Sequence, residues 1–270
     1  MSLGIAFKGP EGIVLAVDSR VTLTVHHSDT NASHPAYYDN ATKLLKVEGH
    51  DYVGAVTYGV GALGGAQPRT AHSYIPEFER EIGSERLSVE DFAARLGDFF
   101  LRQWRSTMSP NTAPKDSMVF LVGGFDRDAA YGRVFQVAVP TEPAPKEFNA
   151  AENFGITWGG QGDIASRIIH GYDPSLDGLV KKHVHLNAAS TRSFRDQVLG
   201  ALAVSIPYQF LPLQDCVDMA IFLIKATATI QKWTLGVRGV GGAIDVATIT
   251  RTEGFRAIQE KQVTGERYEP

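Results

Sequence analysis

The first twenty residues constrain the fold more than any other stretch of the chain. Two short apolar runs, residues 3–7 and 13–17, flank the turn-forming sequence Gly-Pro-Glu-Gly at 9–12. Glycine and proline supply turn dihedrals and interrupt helices and central strands, so this stretch predicts a β-hairpin. The second run is apolar at every position, which indicates a strand covered on both faces. Such a hairpin would carry Asp18 back beside the start of the first strand.

Composition excludes several classes of function. The 270 residues carry a net charge of -4, which gives no electrostatic basis for binding nucleic acid or an anionic membrane. No run of about 18 apolar residues occurs, so we expect neither a membrane span nor export. Cys216 is the only cysteine, which leaves no intrachain disulfide or thiolate metal cluster and fits a cytoplasmic location.

The rest of the chain predicts strands and helices in groups. Residues 21–42 and 141–146 read as loops, and residues 260–270 read as a polar tail. The predicted strands are 43–47, 52–57, 118–122, 133–139, 156–158 and 243–250. The predicted helices are 67–82, one capped by Ser88, 163–170, 190–204 and 213–232. Helices that follow one another between groups of strands predict an α+β fold, a four-layer αββα sandwich of two antiparallel sheets, in one domain over 1–270.

Other residues with chemical potential have simpler interpretations. His26, His27 and His34 with Asp29 and Asp39 contain metal-ligand side chains, but their irregular spacing favours a solvated loop. His183 and His185 alternate on a segment expected to be extended, and they give no better evidence of a metal site. Cys216 lies on the apolar side of a predicted helix and is expected to be core. We therefore expect no metal and no cofactor.

Several sequence blocks match a known family. The strongest is Leu-Gly-Ile-Ala-Phe at 3–7 with residues 12–20, followed by residues 43–47 with 52–57 and by Arg-Leu-Ser-Val-Glu at 86–90. Weaker blocks lie at 159–161, 211–215 and 241–245. On these residues the chain resembles the proteasome β-type family of N-terminal nucleophile hydrolases, and residues 233–245 look closest to the ancestral bacterial β-subunit Anbu. The resemblance covers most of the chain, and the additional length falls in 21–42 and in a helical insertion around 174–208.

The resemblance implies four site residues. Ser2 would be the nucleophile after removal of Met1, and Asp18 lies sixteen residues on, as the family's carboxylate does. Lys43 begins the following strand, where as a cation it would favour the ionised serine oxygen. The free terminal amine would accept the hydroxyl proton. The backbone N–H of Gly59, expected where the strand turns into the first helix, would stabilise the tetrahedral intermediate.

The same resemblance implies a peptide or amide substrate and a homo-oligomeric ring, and leaves any partner ATPase unidentified. Two alternatives remain open. The chain could be a catalytically inactive ring or scaffold subunit, in which Asp18 and Lys43 form only a structural ion pair. It could also be an amidase or acyl transferase that acts on a small molecule.

Overall fold

Two five-stranded antiparallel sheets form the centre of the structure. The computed structural model describes residues 2–27, 32–64, 67–108, 116–184, 188–263 and 265. The first sheet has the order β12-β1-β2-β13-β14. Its strands are β1 (Leu3–Lys8), β2 (Ile13–Asp18), β12 (Gly155–Gly160), β13 (Ile244–Thr250) and β14 (Gly254–Gln259). The predicted hairpin is confirmed, because β1 and β2 pair from Gly4 opposite Val17 to Lys8 opposite Ile13.

The second sheet has the order β11-β10-β9-β6-β5. Its strands are β5 (Leu44–Leu45), β6 (Val53–Gly59), β9 (Met118–Gly124), β10 (Arg133–Val139) and β11 (Glu142–Phe148). The loop predicted at 141–146 is wrong, since β11 occupies this stretch. Its prolines, Pro143 and Pro145, are compatible with a strand because β11 lies at the edge of the sheet, where one side needs no N–H donors.

Four helices cover the sheets. They are α1 (Ile75–Ile82), α2 (Val89–Thr107), α3 (Asp163–His170) and α7 (Leu213–Trp233). The last three agree with prediction, and Ser88 caps α2 by accepting the backbone N–H of Asp91 at 3.0 Å. The first helix, α1, was predicted to begin at residue 67. It begins later because a short ribbon, β7 (Ala62–Leu63) with β8 (Arg69–Thr70), and a 3-10 turn precede it. Pro76 then lies in its first turn, where the missing N–H costs nothing.

Two predictions between these elements were wrong in detail. Residues 21–42, expected to be a loop, contain an antiparallel pair, β3 (Val21–His27) with β4 (Ala32–Tyr38), in which Val21 lies opposite Tyr38. The helix expected at 190–204 is a series of short segments after α4 (Leu176–Val184). These segments are α5 (Ala188–Ser193), a π-helical stretch (Phe194–Leu199) and α6 (Gly200–Leu202). His183 lies in α4 and not in an extended segment, and His185 lies outside the described residues.

Three groups of buried apolar side chains hold these elements together. One joins α1 and α2 to the second sheet and includes Phe78, Phe92, Phe100 and Phe120. Another joins α3 and α7 to the first sheet, and the third joins the two sheets through residues such as Leu15 and Leu121. The chain is thus a mixed αβ protein with antiparallel sheets. In the described part of the chain, no helix is long and apolar enough to cross a membrane.

Candidate active site

Ser2 lies directly before β1 and is almost completely buried, with 4% of its surface exposed. Its carbonyl accepts the backbone N–H of Gln161 at 2.8 Å, which continues the pairing of β1 with β12. Its hydroxyl oxygen lies 2.7 Å from Nζ of Lys43. The start of the first sheet is therefore held in contact with a side chain that comes from the edge of the second sheet.

Asp18 ends β2 and is fully buried. Its Oδ1 accepts the N–H of Leu3 at 3.0 Å and an N–H of Lys43 at 3.2 Å. Its Oδ2 accepts the N–H groups of Arg20 at 3.1 Å and Gly241 at 3.0 Å. Four donors, from residues 3, 20, 43 and 241, thus converge on one carboxylate. The hairpin places it beside the chain start, as predicted.

Lys43 lies one residue before β5, and only 6% of its side chain is exposed. Nζ contacts three oxygens: Ser2 Oγ at 2.7 Å, Asp18 Oδ1 at 3.2 Å and the Arg20 carbonyl at 2.5 Å. An ammonium group has three N–H donors, so all three contacts can be donated. A neutral amine keeps two donors and one lone pair. It can still donate to Asp18 and Arg20 while it accepts the Ser2 hydroxyl.

Burial moves both ionisable groups of this pair toward their neutral forms. It lowers the pKa of Lys43 from its usual value, and the carboxylate of Asp18 opposes this change. It also raises the pKa of Asp18, although Lys43 and the three backbone N–H groups oppose that change. The lowered pKa leaves a larger fraction of Lys43 in the neutral form, which can accept a proton, than an exposed lysine has at the same pH.

The backbone N–H of Gly59 points toward the Lys43 side of the second sheet. Thr57 donates its N–H to the Lys43 carbonyl at 3.0 Å, whereas Val60 donates to the Ser117 carbonyl on the β9 side at 3.0 Å. Because N–H groups alternate along a strand, that of Gly59 faces the same side as that of Thr57. Gly59 was expected where the strand turns into the first helix; it does end β6, but the β7–β8 ribbon and a 3-10 turn intervene before the helix.

A cavity of about 490 Å³ opens in front of these residues. Ser2, Lys43 and Gly59 all line it, so three of the four predicted site residues share one space, and Asp18 lies behind Lys43. The other walls are mainly small or apolar; among them are Val21, Ala41, Val60, Ala62, Pro68 and Ala71. Two further wall residues, Thr22 and Thr57, have buried hydroxyl oxygens without a hydrogen-bond partner in the described structure.

Two glutamines form part of the surroundings that the sequence did not reveal. The side chain of Gln231, near the end of α7, donates to Oε1 of Gln161 at 2.7 Å and accepts the N–H of Val240 at 2.9 Å. Gly160 lies opposite Leu3, and a Cβ on it would come within 1.9 Å of the Ser2 carbonyl oxygen. No local pattern marks these glutamines, because their contacts join parts of the chain far apart in sequence.

The remaining sequence candidates lie elsewhere. His34 is exposed, and Asp39 pairs with Arg20 at 2.5 Å. The side chains of His26 and His27, and all of Asp29, lie outside the described structure. Within the residues that the structure describes, no group of three or more His, Cys, Asp or Glu side chains is arranged to hold a metal ion. Cys216 is buried in the apolar group beneath α7, as expected, and burial raises its pKa to about 12.

Comparison with known structures identifies the fold. A mutant Anbu from Hyphomicrobium sp. strain MC1 aligns with 97% of this chain and 86% of its own length, at 15% identity and a TM-score of 0.55. Anbu (ancestral beta-subunit) from Yersinia bercovieri aligns with 96% and 88%, at 17% identity and a TM-score of 0.52. The chain has the Anbu fold. No family model matches the sequence, and no curated protein matches it. The resemblance inferred from the sequence is thus confirmed at the level of fold.

Proposed function

We propose that this protein is an N-terminal serine hydrolase of the proteasome-like type, which cleaves peptide or amide bonds through an acyl-enzyme on Ser2. The 2.7 Å contact between Lys43 Nζ and Ser2 Oγ carries the proposal, because a serine hydroxyl needs a base in reach to become a nucleophile. Removal of Met1 would make Ser2 the first residue and free its amine. The complete four-layer αββα sandwich in one domain, and assembly into a homo-oligomeric ring in the cytoplasm, belong to the same proposal.

In the proposed first step, the neutral amine of Lys43 accepts the hydroxyl proton of Ser2. The serine oxygen adds to the substrate carbonyl carbon, and the carbonyl π electrons move to its oxygen. The N–H of Gly59 stabilises that oxyanion. When the tetrahedral intermediate collapses, the C–N bond breaks and the amine leaves with the proton that Lys43 returns. Water then hydrolyses the ester by the same sequence and regenerates Ser2.

This assignment changes the role that the sequence suggested for Lys43. The sequence favoured a fixed cation, with the terminal amine as base. The described contacts support Lys43 as the base because its nitrogen is within direct hydrogen-bond distance and its pKa is lowered by burial. Asp18 then keeps Lys43 in place and stabilises the ammonium that forms.

The cavity supports a neutral, mainly apolar substrate side chain. Apart from Lys43, the described residues that line it carry no charge. The free hydroxyls of Thr22 and Thr57 would gain hydrogen bonds from the polar atoms of a bound peptide or amide, since a buried hydroxyl without a partner is costly. Peptides with an apolar residue before the cleaved bond should therefore be preferred to those with an acidic or basic one.

Intact mass spectrometry combined with labelling tests the proposal. We expect the mass to show loss of Met1 and a β-lactone to add once, on Ser2. Ser2→Ala and Lys43→Met should prevent both labelling and peptide hydrolysis. A chain that keeps Met1 and takes no label would refute the proposal. Parallel profiling on peptides and small amides separates a peptidase from a small-molecule amidase.

One observation favours the alternative of an inactive scaffold subunit. The resemblance to the proteasome β-type family implies that active members support the terminal amine with polar side chains, at positions that correspond here to Gly160, Val237 and Val240. Val240 is buried in the apolar group beneath α7, and Val237 is partly exposed. An inactive subunit predicts an unlabelled Ser2 in a protein that still assembles, which sedimentation would detect.

A further inference from the structure

A second buried ion pair lies next to the first. Asp245 is the second residue of β13, and its neighbour Ile244 pairs with Asp18 across the sheet. Only 3% of the Asp245 side chain is exposed. Its carboxylate forms an ion pair with the ammonium of Lys261 and also accepts the backbone N–H of Lys261 at 3.0 Å. The chain that follows β14 is therefore tied back to β13, the strand beside it in the first sheet.

This pair lies close to the proposed base. Ser19, which follows Asp18, donates its hydroxyl to Asp245 Oδ2 at 3.4 Å. Thr42 and Leu44, on either side of Lys43 in the chain, line a cavity of about 410 Å³ together with Asp245 and Lys261. Lys43 thus has one carboxylate in direct contact and a second ion pair nearby.

The two members of this pair act on Lys43 in opposite directions. After burial and the contact with Asp18, Lys261 lowers the pKa of Lys43 further, and Asp245 raises it. A second nearby pair, Arg20 with Asp39, is more exposed, and removal of Met1 would add the amine of Ser2 to the titratable groups near Lys43. An intact pair places opposite charges together, so that their effects on Lys43 largely cancel.

A structural role alone does not account well for this arrangement. Buried ion pairs are often no more stabilising than apolar side chains of the same volume, because both charges lose their hydration. The backbone bond from Lys261 to Asp245 would in addition hold the chain end with any residue at 261. The charge of Lys261 is better explained as the counter-charge to the carboxylate of Asp245, which is buried near the proposed base Lys43.

We propose that Lys261 is a positioning residue for the reaction: by pairing with Asp245, it prevents a second buried carboxylate from holding Lys43 in its charged form. The segment 260–263 is then a strap that the site requires. This inference rests on the proposed function, in which Lys43 must be neutral to accept the Ser2 proton. It assigns no chemical step to Lys261 itself.

The test measures the pH dependence of kcat/KM for peptide hydrolysis in four full-length variants and one control variant. Activity should rise with pH as Lys43 loses its proton. In Lys261→Met the unpaired Asp245 stabilises the ammonium of Lys43, so the acid limb should move up by about 1 pH unit. In Asp245→Asn the unpaired Lys261 destabilises that ammonium, and the limb should move down by a similar amount.

Two further variants separate charge from structure. The double variant Asp245→Asn/Lys261→Met has no charge at either position and should return the limb to near its original pH. Lys261→Arg keeps the charge and should match the unaltered protein. Lys225→Met, which removes an exposed lysine on α7, is the matched control and should leave the profile unchanged. If Lys261→Met does not fold, the remaining variants still give different expectations: a downward shift in Asp245→Asn and no shift in the double variant.

Opposite shifts in the two single variants, cancelled in the double variant, would support the inference. Shifts in the same direction, or none, would overturn it. If the unaltered protein hydrolyses no substrate, the proposed function fails, and the effect of the Asp245–Lys261 pair on the charge of Lys43 is tested separately. In that case the Lys43 ammonium is titrated by ¹³C nuclear magnetic resonance of its Cε, assigned with Lys43→Arg, and the same pattern of shifts is required.

Discussion

Replacing Asp18 with asparagine gives the sharpest test of the site's architecture. The side chain keeps its shape, but one acceptor oxygen becomes an NH₂ donor. Oδ1 serves Leu3 and Lys43, and Oδ2 serves Arg20 and Gly241. Whichever way the amide is oriented, its NH₂ faces two of these donors.

The magnitude follows from counting those donors. A buried donor that loses its acceptor costs about 1 to 3 kcal/mol, so two predict a loss of about 2 to 6 kcal/mol in the free energy of unfolding. The whole stability of a typical protein is about 5 to 15 kcal/mol, so this loss is readily measured. If the neutral Lys43 accepts from the new NH₂ instead, one donor is rescued, but its lone pair is no longer available to Ser2.

Urea unfolding monitored by fluorescence measures this loss in the free energy of unfolding, provided that the m-value of the variant equals that of the unaltered protein. Asp39→Asn is the matched control, since it makes the same substitution in an exposed ion pair. Asp39 pairs with Arg20, and 44% of the Asp39 side chain is exposed. Exposed pairs contribute about 0 to 1 kcal/mol. If Asp18→Asn costs no more than Asp39→Asn, Asp18 is not the buried acceptor described here, and the reasoning fails.

Three other substitutions test features of the site and of the fold. Gly59→Ala should cost about 1 to 3 kcal/mol in a urea titration and reduce hydrolysis, because φ is +85° and the new Cβ would lie 2.2 Å from the Ser117 carbonyl oxygen; unchanged stability would contradict this. Burial raises the pKa of Tyr58 to about 12, so the folded state keeps its proton longer than the unfolded state and loses stability as pH rises above about 10. Between pH 7 and pH 11, the free energy of unfolding of the unaltered protein should therefore fall by about 1 kcal/mol more than that of Tyr58→Phe. Equal falls in the two proteins would argue against the burial of Tyr58. Ser88→Ala should lower the thermal midpoint through a cap worth about 0.5 to 2 kcal/mol, and no shift would mean that the cap contributes nothing.

Elements with a strong local pattern were predicted well from the sequence. The first hairpin, α2 and α7 each combine continuous or periodic apolar residues with turn or capping residues at their ends. The elements that were missed have patterns that point elsewhere. The strand β11 contains prolines that suggest a loop, and β14 is a short edge strand with only two buried residues, at Gly254 and Phe255.

The site was partly predictable for a similar reason. The hairpin alone brings Asp18 to the chain start, but Lys43 was identified through the resemblance to a family. Other residues around the site are brought there by contacts between parts of the chain that are far apart in sequence; these are Gln161, Gln231, Asp245 and Lys261. Each is polar in an ordinary sequence context, so nothing nearby in the chain distinguishes it from a surface residue.

Lys43 is the residue that separates an active site from a structural remnant. The carboxylate of Asp18 has a reason to persist in either case, because it accepts three backbone N–H groups that would otherwise be buried without partners. Among the described residues, the side chain of Lys43 donates to a single backbone group, the Arg20 carbonyl, and its burial is costly. Removing the lysine alone would leave Asp18 as a buried carboxylate without its counter-charge, which costs about 3 to 5 kcal/mol, whereas replacing both partners by apolar side chains can be nearly neutral. Lys43→Met should therefore lose stability in either case, and the labelling of Ser2 decides between the two roles. If Ser2 is labelled in the unaltered protein but not in a still folded Lys43→Met, the lysine is present for chemistry. If Ser2 is never labelled, the pair serves the fold.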